Sequence, residues 1–479
     1  MSASSERRRI LMVLSVTTLA SFLTGLNSRL AMVGFPIVAR ELNASVGEML
    51  WIVQGYMIGS TIIQLIVGGL ADLYGRIKLF NIGFLVFSVA ALTAGLAGSP
   101  VLLIASRIIQ GVGGAFLMTL SITILTDNVP GNVLGTWLGV NQVAWRVGAL
   151  LGLSISGFVI DSLGWRWLYL AYVPVGLAAL LWSAKVLRET YSRTRPPCLD
   201  VGGFTSFTAF TFFLLMYLTL LLSGISWGLS VLLVIATLSS LAAFVAWEMR
   251  ARCTSLDFTV FRKWQFTGGL IAQLLYALGF GSTLTLLVLL LEVAKGVSAS
   301  VTGLAIMPFE ATFLIFGVIG GRLSDKVGYA PVTLAGLVVS SISLYMLSEV
   351  TADAGLTTTI LATVLLGIGT GAFTAPNTSS IMSAVEPDKR GVASALRMLT
   401  FNIGFLASLN MAVLTLIQYI PYDVATRIII SGELVDVEGY ANSMATALGK
   451  SFLVQAIVMA SAIPFTLTRF RRKQTSPQR

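Results

Sequence analysis

Gly68-Gly69-Leu70-Ala71-Asp72-Leu73-Tyr74-Gly75-Arg76 returns later in the chain as Gly321-Arg322-Leu323-Ser324-Asp325-Lys326-Val327-Gly328. Both stretches read Gly-x-Leu-small-Asp-x-x-Gly, and Asp325 follows Asp72 by 253 positions. Each closes one long apolar segment and opens the next. A polar turn repeated between apolar segments implies two related halves in one membrane protein, an arrangement suited to rocking one half against the other. In each turn the glycines let helix ends approach closely. Asp72 can accept hydrogen bonds at a helix N-terminus, with Arg76 as a nearby partner.

The rest of the chain agrees with a membrane setting. Of 479 residues, 56% are hydrophobic and 11% charged, against roughly 25% charged in a soluble domain. Apolar runs long enough to cross ~30 Å of hydrocarbon recur from end to end. They read as helices, because spanning strands would be shorter and alternate in polarity. The fold class is therefore all-α integral membrane. Helical spans are expected at about 10–35, 48–70, 78–98, 101–126, 133–160, 165–187, 203–223, 228–247, 264–292, 302–321, 331–349, 357–383, 391–419 and 449–469. These make fourteen spans, numbered here in chain order. The repeated turns follow spans 2 and 10. The organisation expected is a six-helix half at 1–190, a linker with two inserted central helices at 191–263, and a second six-helix half at 264–479.

A formal charge of +10 raises the question of nucleic acid. Its distribution answers that question. Of the 31 Lys and Arg, 22 fall in loops and tails on one side of the spans, five on the other and four inside them. That bias marks the first side as cytoplasmic, with both termini on it, and nucleic acid is not expected as a partner. Arg7-Arg8-Arg9 before an apolar run imitates a signal peptide, but the run continues as a full span. Cys198 and Cys253 both fall in cytoplasmic loops and are expected as free thiols. The chain has no histidine, which excludes histidine proton relays and histidine-ligated metals. No Gly-x-x-x-x-Gly-Lys-Ser/Thr loop is present, and no nucleophile–base pair points to an enzyme. No cofactor or metal is expected. The longest outer loop, 420–448, is acidic and carries Ile428-Ile429-Ile430.

Further motifs sit at matching span boundaries. They are Arg107-Ile-Ile-Gln110-Gly111-Val-Gly113-Gly114 in span 4, Trp165-Arg166-Trp167 with Pro174-x-Gly176 at span 6, and Trp51 and Tyr56 in span 2. Together with the turn at 68–76, this order resembles the major facilitator superfamily, and within it the fourteen-helix drug:proton antiporter branch. The resemblance covers nearly the whole chain. It implies export of amphipathic compounds from a cell by alternating access, coupled to protons, by a monomer in the plasma membrane. It also implies that spans 1, 2, 4, 5, 9, 10, 12 and 13 line a central cavity. Two departures stand out. Asn27 occupies the family's helix 1 Asp position, with Arg29 two residues on, and an amide carries no proton at neutral pH. In span 5, Gly148, Gly152 and Gly157 remain as packing positions, but Leu153 replaces the family's Pro and Arg146 stands one turn earlier.

An ionisable residue inside a membrane costs about 2.5–3.5 kcal/mol on insertion scales and is a functional candidate by default. Arginine cannot escape by losing its proton. Arg29, Arg107, Arg146 and Arg397 all fall on the cavity-lining set, with the single acid Glu310 just past Pro308. Arg29 and Arg397 lie close enough to span ends to snorkel. Glu310, with Arg107, is the candidate for proton coupling. The candidate substrate-binding residues are Arg146, Trp145, Asn141, Arg29, Asn27, Gln273, Asn377 and Arg397. Arg146 beside Trp145 suits a carboxylate or phosphate held in bidentate fashion, with the indole over an apolar part. The arginine excess also supports a second reading, a carrier or exchanger for an organic or inorganic anion. The candidate conformational residues are Gly68, Asp72, Gly75, Arg76, Gly321, Asp325 and Gly328. The packing candidates are Gly111, Gly148, Gly152 and Gly157. An impermeant maleimide is expected to label Cys198 and Cys253 in inside-out vesicles and not in intact cells; labelling from outside would overturn this register.

Overall fold

The computed structural model describes residues 3–33, 38, 41–44, 46–189, 200–221, 225–251, 258–297, 299–350, 355–421 and 441–469. Cys198, Cys253 and Ile428 to Ile430 lie outside them. The helices are α1 (Ala3–Val33), α2 (Val46–Ile62), α3 (Gln64–Tyr74), α4 (Arg76–Gly95), α5 (Pro100–Asn128), α6 (Leu134–Leu163), α7 (Trp167–Leu170), α8 (Tyr172–Val186), α9 (Val201–Leu221), α10 (Trp227–Glu248), α11 (Trp264–Phe280), α12 (Thr283–Leu289), α13 (Ala299–Val327), α14 (Tyr329–Ser348), α15 (Leu356–Ser383), α16 (Arg390–Leu416), α17 (Ala441–Ala460) and α18 (Ile463–Leu467). No strand occurs among the described residues. Twelve helical segments among them are long and apolar enough to cross a membrane. The expected span 2 is broken at Ile63 into α2 and α3, and span 9 is divided at Gly281-Ser282 and ends in a π-helical turn at Leu290–Ala294. The last span begins at Ala441 rather than 449. Its first turns are polar and small, so hydropathy alone reads them as loop.

Local chemistry sets the helix ends. Ser99 caps α5 by accepting from Leu102 N, with Pro100 in the first turn where its missing N–H costs nothing. The turn between α3 and α4 pivots on Gly75 at φ +100°, and that between α13 and α14 on Gly328 at φ +92°. These glycines are also 253 positions apart. A side chain would strain either one. The repeated Gly is thus explained by backbone conformation at both turns.

Contacts divide the chain into two units. The first comprises Met1–Leu215, Leu232–Asp257 and Val385–Leu399, and the second Met216–Val231, Phe258–Ala384 and Thr400–Arg479. Segment 385–399, which begins α16, is thus second-repeat by sequence and first-unit by contact. In the first unit α2 and α4 pack on α5, and α1 on α6; in the second, α13 and α14 pack on α15.

Glycine makes these helix contacts close enough to satisfy packing without large side chains. A Cβ at Gly111 of α5 would stand 2.1 Å from Tyr56 O of α2, and one at Gly367 of α15 would stand 2.3 Å from Phe309 O of α13. Phe309 follows Tyr56 by the same 253 positions, so one glycine-to-backbone contact recurs in both repeats. Gly148 and Gly152 of α6 face Phe22 O and Leu26 O of α1 at 2.2 and 2.4 Å by the same measure. The side of Gly157 lies outside the described residues. Gly111→Ala is expected to lower the melting temperature and folded yield, by the equivalent of about 1–3 kcal/mol of overpacking. Gly303→Ala, whose new methyl meets nothing within 4 Å, is expected to leave both unchanged or raised.

Candidate functional site

The first repeat's turn ends in a buried ion cluster. Arg76 is 1% exposed and donates from Nη1 to Asp127 Oδ2 and from Nη2 to Pro387 O. Arg390 donates from Nη1 to Asp127 Oδ1 at 3.0 Å and to Thr126 O at 3.3 Å. One carboxylate therefore holds two guanidinium groups, one from the turn and one from the start of α16. A Cβ at Gly68 would meet Gly391 O at 2.6 Å, and Ser394 Oγ donates to Thr119 O at 2.9 Å. The segment 385–399 is thus seated against α3 and α5. Glu189 closes the turn from another side, its Oε2 accepting from Ile77 N at 3.0 Å. A carboxylate there suits the positive end of α4. Among the described residues the carboxylate that Arg76 meets is Asp127; the pairing with Asp72 expected from the sequence falls on a side chain outside them. In the second repeat, Gly321 is buried and Asp325 half-buried near the end of α13.

Arg107 occupies the interior of the first unit, 2% exposed. Its Nη1 donates to Asn27 Oδ1 and to Gln110 Oε1, both at 2.7 Å, and its Nε to Ile52 O at 3.3 Å. The guanidinium lies 5.1 Å from the ring centroid of Tyr56 and 5.7 Å from that of Tyr169, within cation–π range. Tyr172, also in its field, is buried with its hydroxyl unbonded among the described residues. Among those residues no carboxylate forms an ion pair with Arg107.

Arg146 is buried on α6, its guanidinium 5.8 Å from the Trp145 ring. Asn141, one turn earlier, donates to Ser121 Oγ at 3.1 Å and accepts from Ser21 Oγ at 2.9 Å. It ties α6 to α1 and α5, which is the work of an interhelical strut. Arg397 is buried in the first-unit part of α16 and donates from Nη2 to the Met398 sulfur at 2.9 Å. The Arg29 side chain lies outside the described residues.

In the second unit, Asn377 and Gln273 are brought together. Asn377 Nδ2 donates to Gln273 Oε1 at 3.2 Å and to Gly269 O at 3.1 Å, and its Oδ1 accepts from Arg469 Nη1 at 2.9 Å. Arg469 also donates to Ser380 Oγ. Glu310 is half-buried near the middle of α13, two residues after Pro308. Beside this polar chain runs a row of rings: Tyr276 stacks on Phe373 at 4.5 Å and on Phe280 at 5.6 Å, and Phe280 on Phe309 at 5.8 Å.

Sequence reasoning missed Asp127, Glu189, Arg390 and Arg469 as partners. Asp127 carried a signal, an acid at the inner end of an apolar span near a basic turn. The outer face of the first unit has its own anchor. Glu41 Oε2 accepts from Trp165 Nε1 and Arg166 Nη1, each at 2.9 Å. These two bonds hold the Glu41 carboxyl below its ordinary value.

The family description Major Facilitator Superfamily matches residues 17–250 and 269–431. The chain belongs to that superfamily, which makes it a non-enzymatic membrane transporter. It is 26% identical over 401 residues to the riboflavin transporter RibZ of Clostridioides difficile (strain 630), covering 82% of this chain and 86% of that protein. It is 26% identical to the tetracenomycin C resistance and export protein of Streptomyces glaucescens, covering 86% and 76%. It is also 26% identical to the multidrug transporter protein MdtP of Bacillus subtilis (strain 168), covering 84% and 75%. In fold it is similar to the proton:xylose symporter XylE bound to 6-bromo-6-deoxy-D-glucose, with a TM-score of 0.61, 16% identity, and coverage of 96% and 97%.

Removing one partner of a buried pair leaves the other charge stranded, at about 3–5 kcal/mol. Asp127→Ala and Arg76→Ala are each expected to lower thermal stability by that order. The double variant is expected to lose clearly less than the two together, because the coupling between contacting residues is then counted once. Strict additivity would show that the pair is not coupled.

Proposed function

We propose that this chain exports small amphipathic organic compounds across a cell membrane by alternating access, driven by an ion gradient. The observation that carries this reading is the repeated helix packing of a major facilitator transporter in a chain similar over most of its length to drug and antibiotic exporters. Counting the broken helix Val46–Tyr74 and the helix Leu134–Leu163 beside the twelve apolar spans gives fourteen. That count supports the fourteen-helix drug:proton branch, with α9 and α10 as its two inserted helices and 1–190 and 264–479 as its six-helix halves. We place both termini in the cytoplasm of a monomer in the plasma membrane.

Arg146 with Trp145 is the proposed centre of substrate binding, a cation and an indole offered side by side. Arg29 and Arg397 complete the proposed set in the first unit; in the second unit, taken by itself, Gln273 and Asn377 are the proposed substrate-binding amides. The Asp127 cluster is the proposed latch. Segment 385–399 leaves Asp127 in one conformation and returns to it in the other. Salt-bridge exchange of this kind suits a switch, because the clustered charges are stable only when paired.

The proton is carried, in this proposal, by Glu310. In proteoliposomes an imposed pH gradient is expected to drive accumulation of a lipophilic dye. Glu310→Gln is expected to abolish uphill transport while leaving downhill flux. Unchanged accumulation in that variant would rule Glu310 out, and a wild type that moves no amphipathic compound would overturn the exporter reading.

A further inference from the structure

The Arg107 cluster contains more donors than acceptors. A guanidinium has five N–H groups. Those on Nε and Nη1 reach Ile52 O, Asn27 Oδ1 and Gln110 Oε1, and no hydrogen bond leaves Nη2 among the described residues. Both amides must turn their oxygens toward the guanidinium, since the reverse orientation would set N–H against N–H. Their nitrogens are thereby left over. Asn27 Nδ2 and Gln110 Nε2 are buried with no hydrogen-bond acceptor, and the Tyr172 hydroxyl is likewise unbonded. The Tyr56 hydroxyl is within side-chain hydrogen-bonding reach of Asn27, but the Asn27 Nδ2 group is not aligned on it. Asn27 and Gln110 are 0% exposed and Arg107 and Tyr172 2%.

A buried cation surrounded by idle donors is costly as it stands. The charge cannot be shed, and each unmade bond leaves a buried polar group desolvated and uncompensated. A single mobile negative charge beside the guanidinium would resolve both deficits, neutralising the cation and accepting from the idle donors that face it. The helices around it are closely packed. Gly111 and Gly114 of α5 already stand so close to Tyr56 that a Cβ would meet its backbone O at 2.1 Å and its hydroxyl at 2.3 Å. We propose that Arg107, Asn27, Gln110 and Tyr172 form a buried binding site for a small monovalent inorganic anion of halide type. The anion is a resident of the first unit and not the transported solute, so the proposal does not rest on what the chain exports.

The test uses the purified full-length chain in nanodiscs, with chloride exchanged for gluconate at constant ionic strength and unfolding followed by tryptophan fluorescence. Chloride is expected to raise the melting temperature saturably by a few degrees, as a ligand of the folded state alone must. Asn27→Asp is the decisive variant. It is nearly isosteric, keeps the bond to Arg107 and supplies a built-in negative charge. It is expected to fold, to equal or exceed the wild type in gluconate, and to lose the chloride response. Arg107→Gln is expected to lose the response as well, and Tyr172→Phe to weaken the anion's apparent affinity severalfold. In bromide-soaked crystals an anomalous peak is expected among these four residues. No chloride response in the wild type would mean that water fills the site and would overturn the proposal. A response unchanged in Asn27→Asp would place the ion elsewhere, and a response to benzoate without one to chloride would reject the small-anion assignment.

Discussion

A guanidinium buried within the protein can neither shed its proton nor rely on bulk water, so the protein must supply its partners, and much of this structure is arranged around that demand. Arg76 is answered by a carboxylate and a carbonyl, Arg107 by a carbonyl, two amides and two rings, and Arg146 by the Trp145 indole. Gln110 and Trp145 share a helix with the arginine they meet, while Asp127 and Pro387, and Asn27, Ile52, Tyr56 and Tyr169, come from other parts of the chain. Each of these latter contacts fixes a distance between chain segments as well as a charge. Glycines at the same contacts let the backbones come close enough for short side chains to reach. The packing and the electrostatics are one arrangement.

The two repeats share a frame and differ in content. The positive-φ glycines of the two turns lie 253 positions apart, as do the Tyr56 and Phe309 carbonyls that a glycine of a neighbouring helix approaches in each half. Where the first unit places Tyr56 beside Arg107, the matching Phe309 belongs to a row of stacked rings with no charge in it. The first unit thus buries a cation among hydrogen-bonding groups, and the second buries a row of rings in its apolar core.

The sequence shows its helices and its turns because both are local. Apolar runs of sufficient length mark the spans, and the Gly-x-Leu-small-Asp-x-x-Gly pattern marks the two positive-φ turns. Long-range partners are not local. Nothing near Arg76 points to Asp127, which lies 51 positions on, or to Pro387, 311 positions on. The same distance hid Arg469 from Asn377. The misplacement of the last span has a different cause, since Ala441-Asn-Ser-Met-Ala-Thr is helical by tertiary packing and too polar for a hydropathy reading. Asn141 illustrates the limit for site residues. Its position on a cavity-lining span was legible, whereas its engagement by Ser21 and Ser121 was not.

If the buried charges organise the transport cycle, the cluster at Asp127 must open and close during it. Spin labels at the exposed positions Pro130 and Glu386, beside Asp127 and Pro387, report that event directly by pulsed electron–electron resonance in nanodiscs. One short distance is expected in the resting protein, with a second, longer population when a transported compound is added, and loss of the short population in Asp127→Asn. A single distance that persists unchanged through turnover would contradict the account.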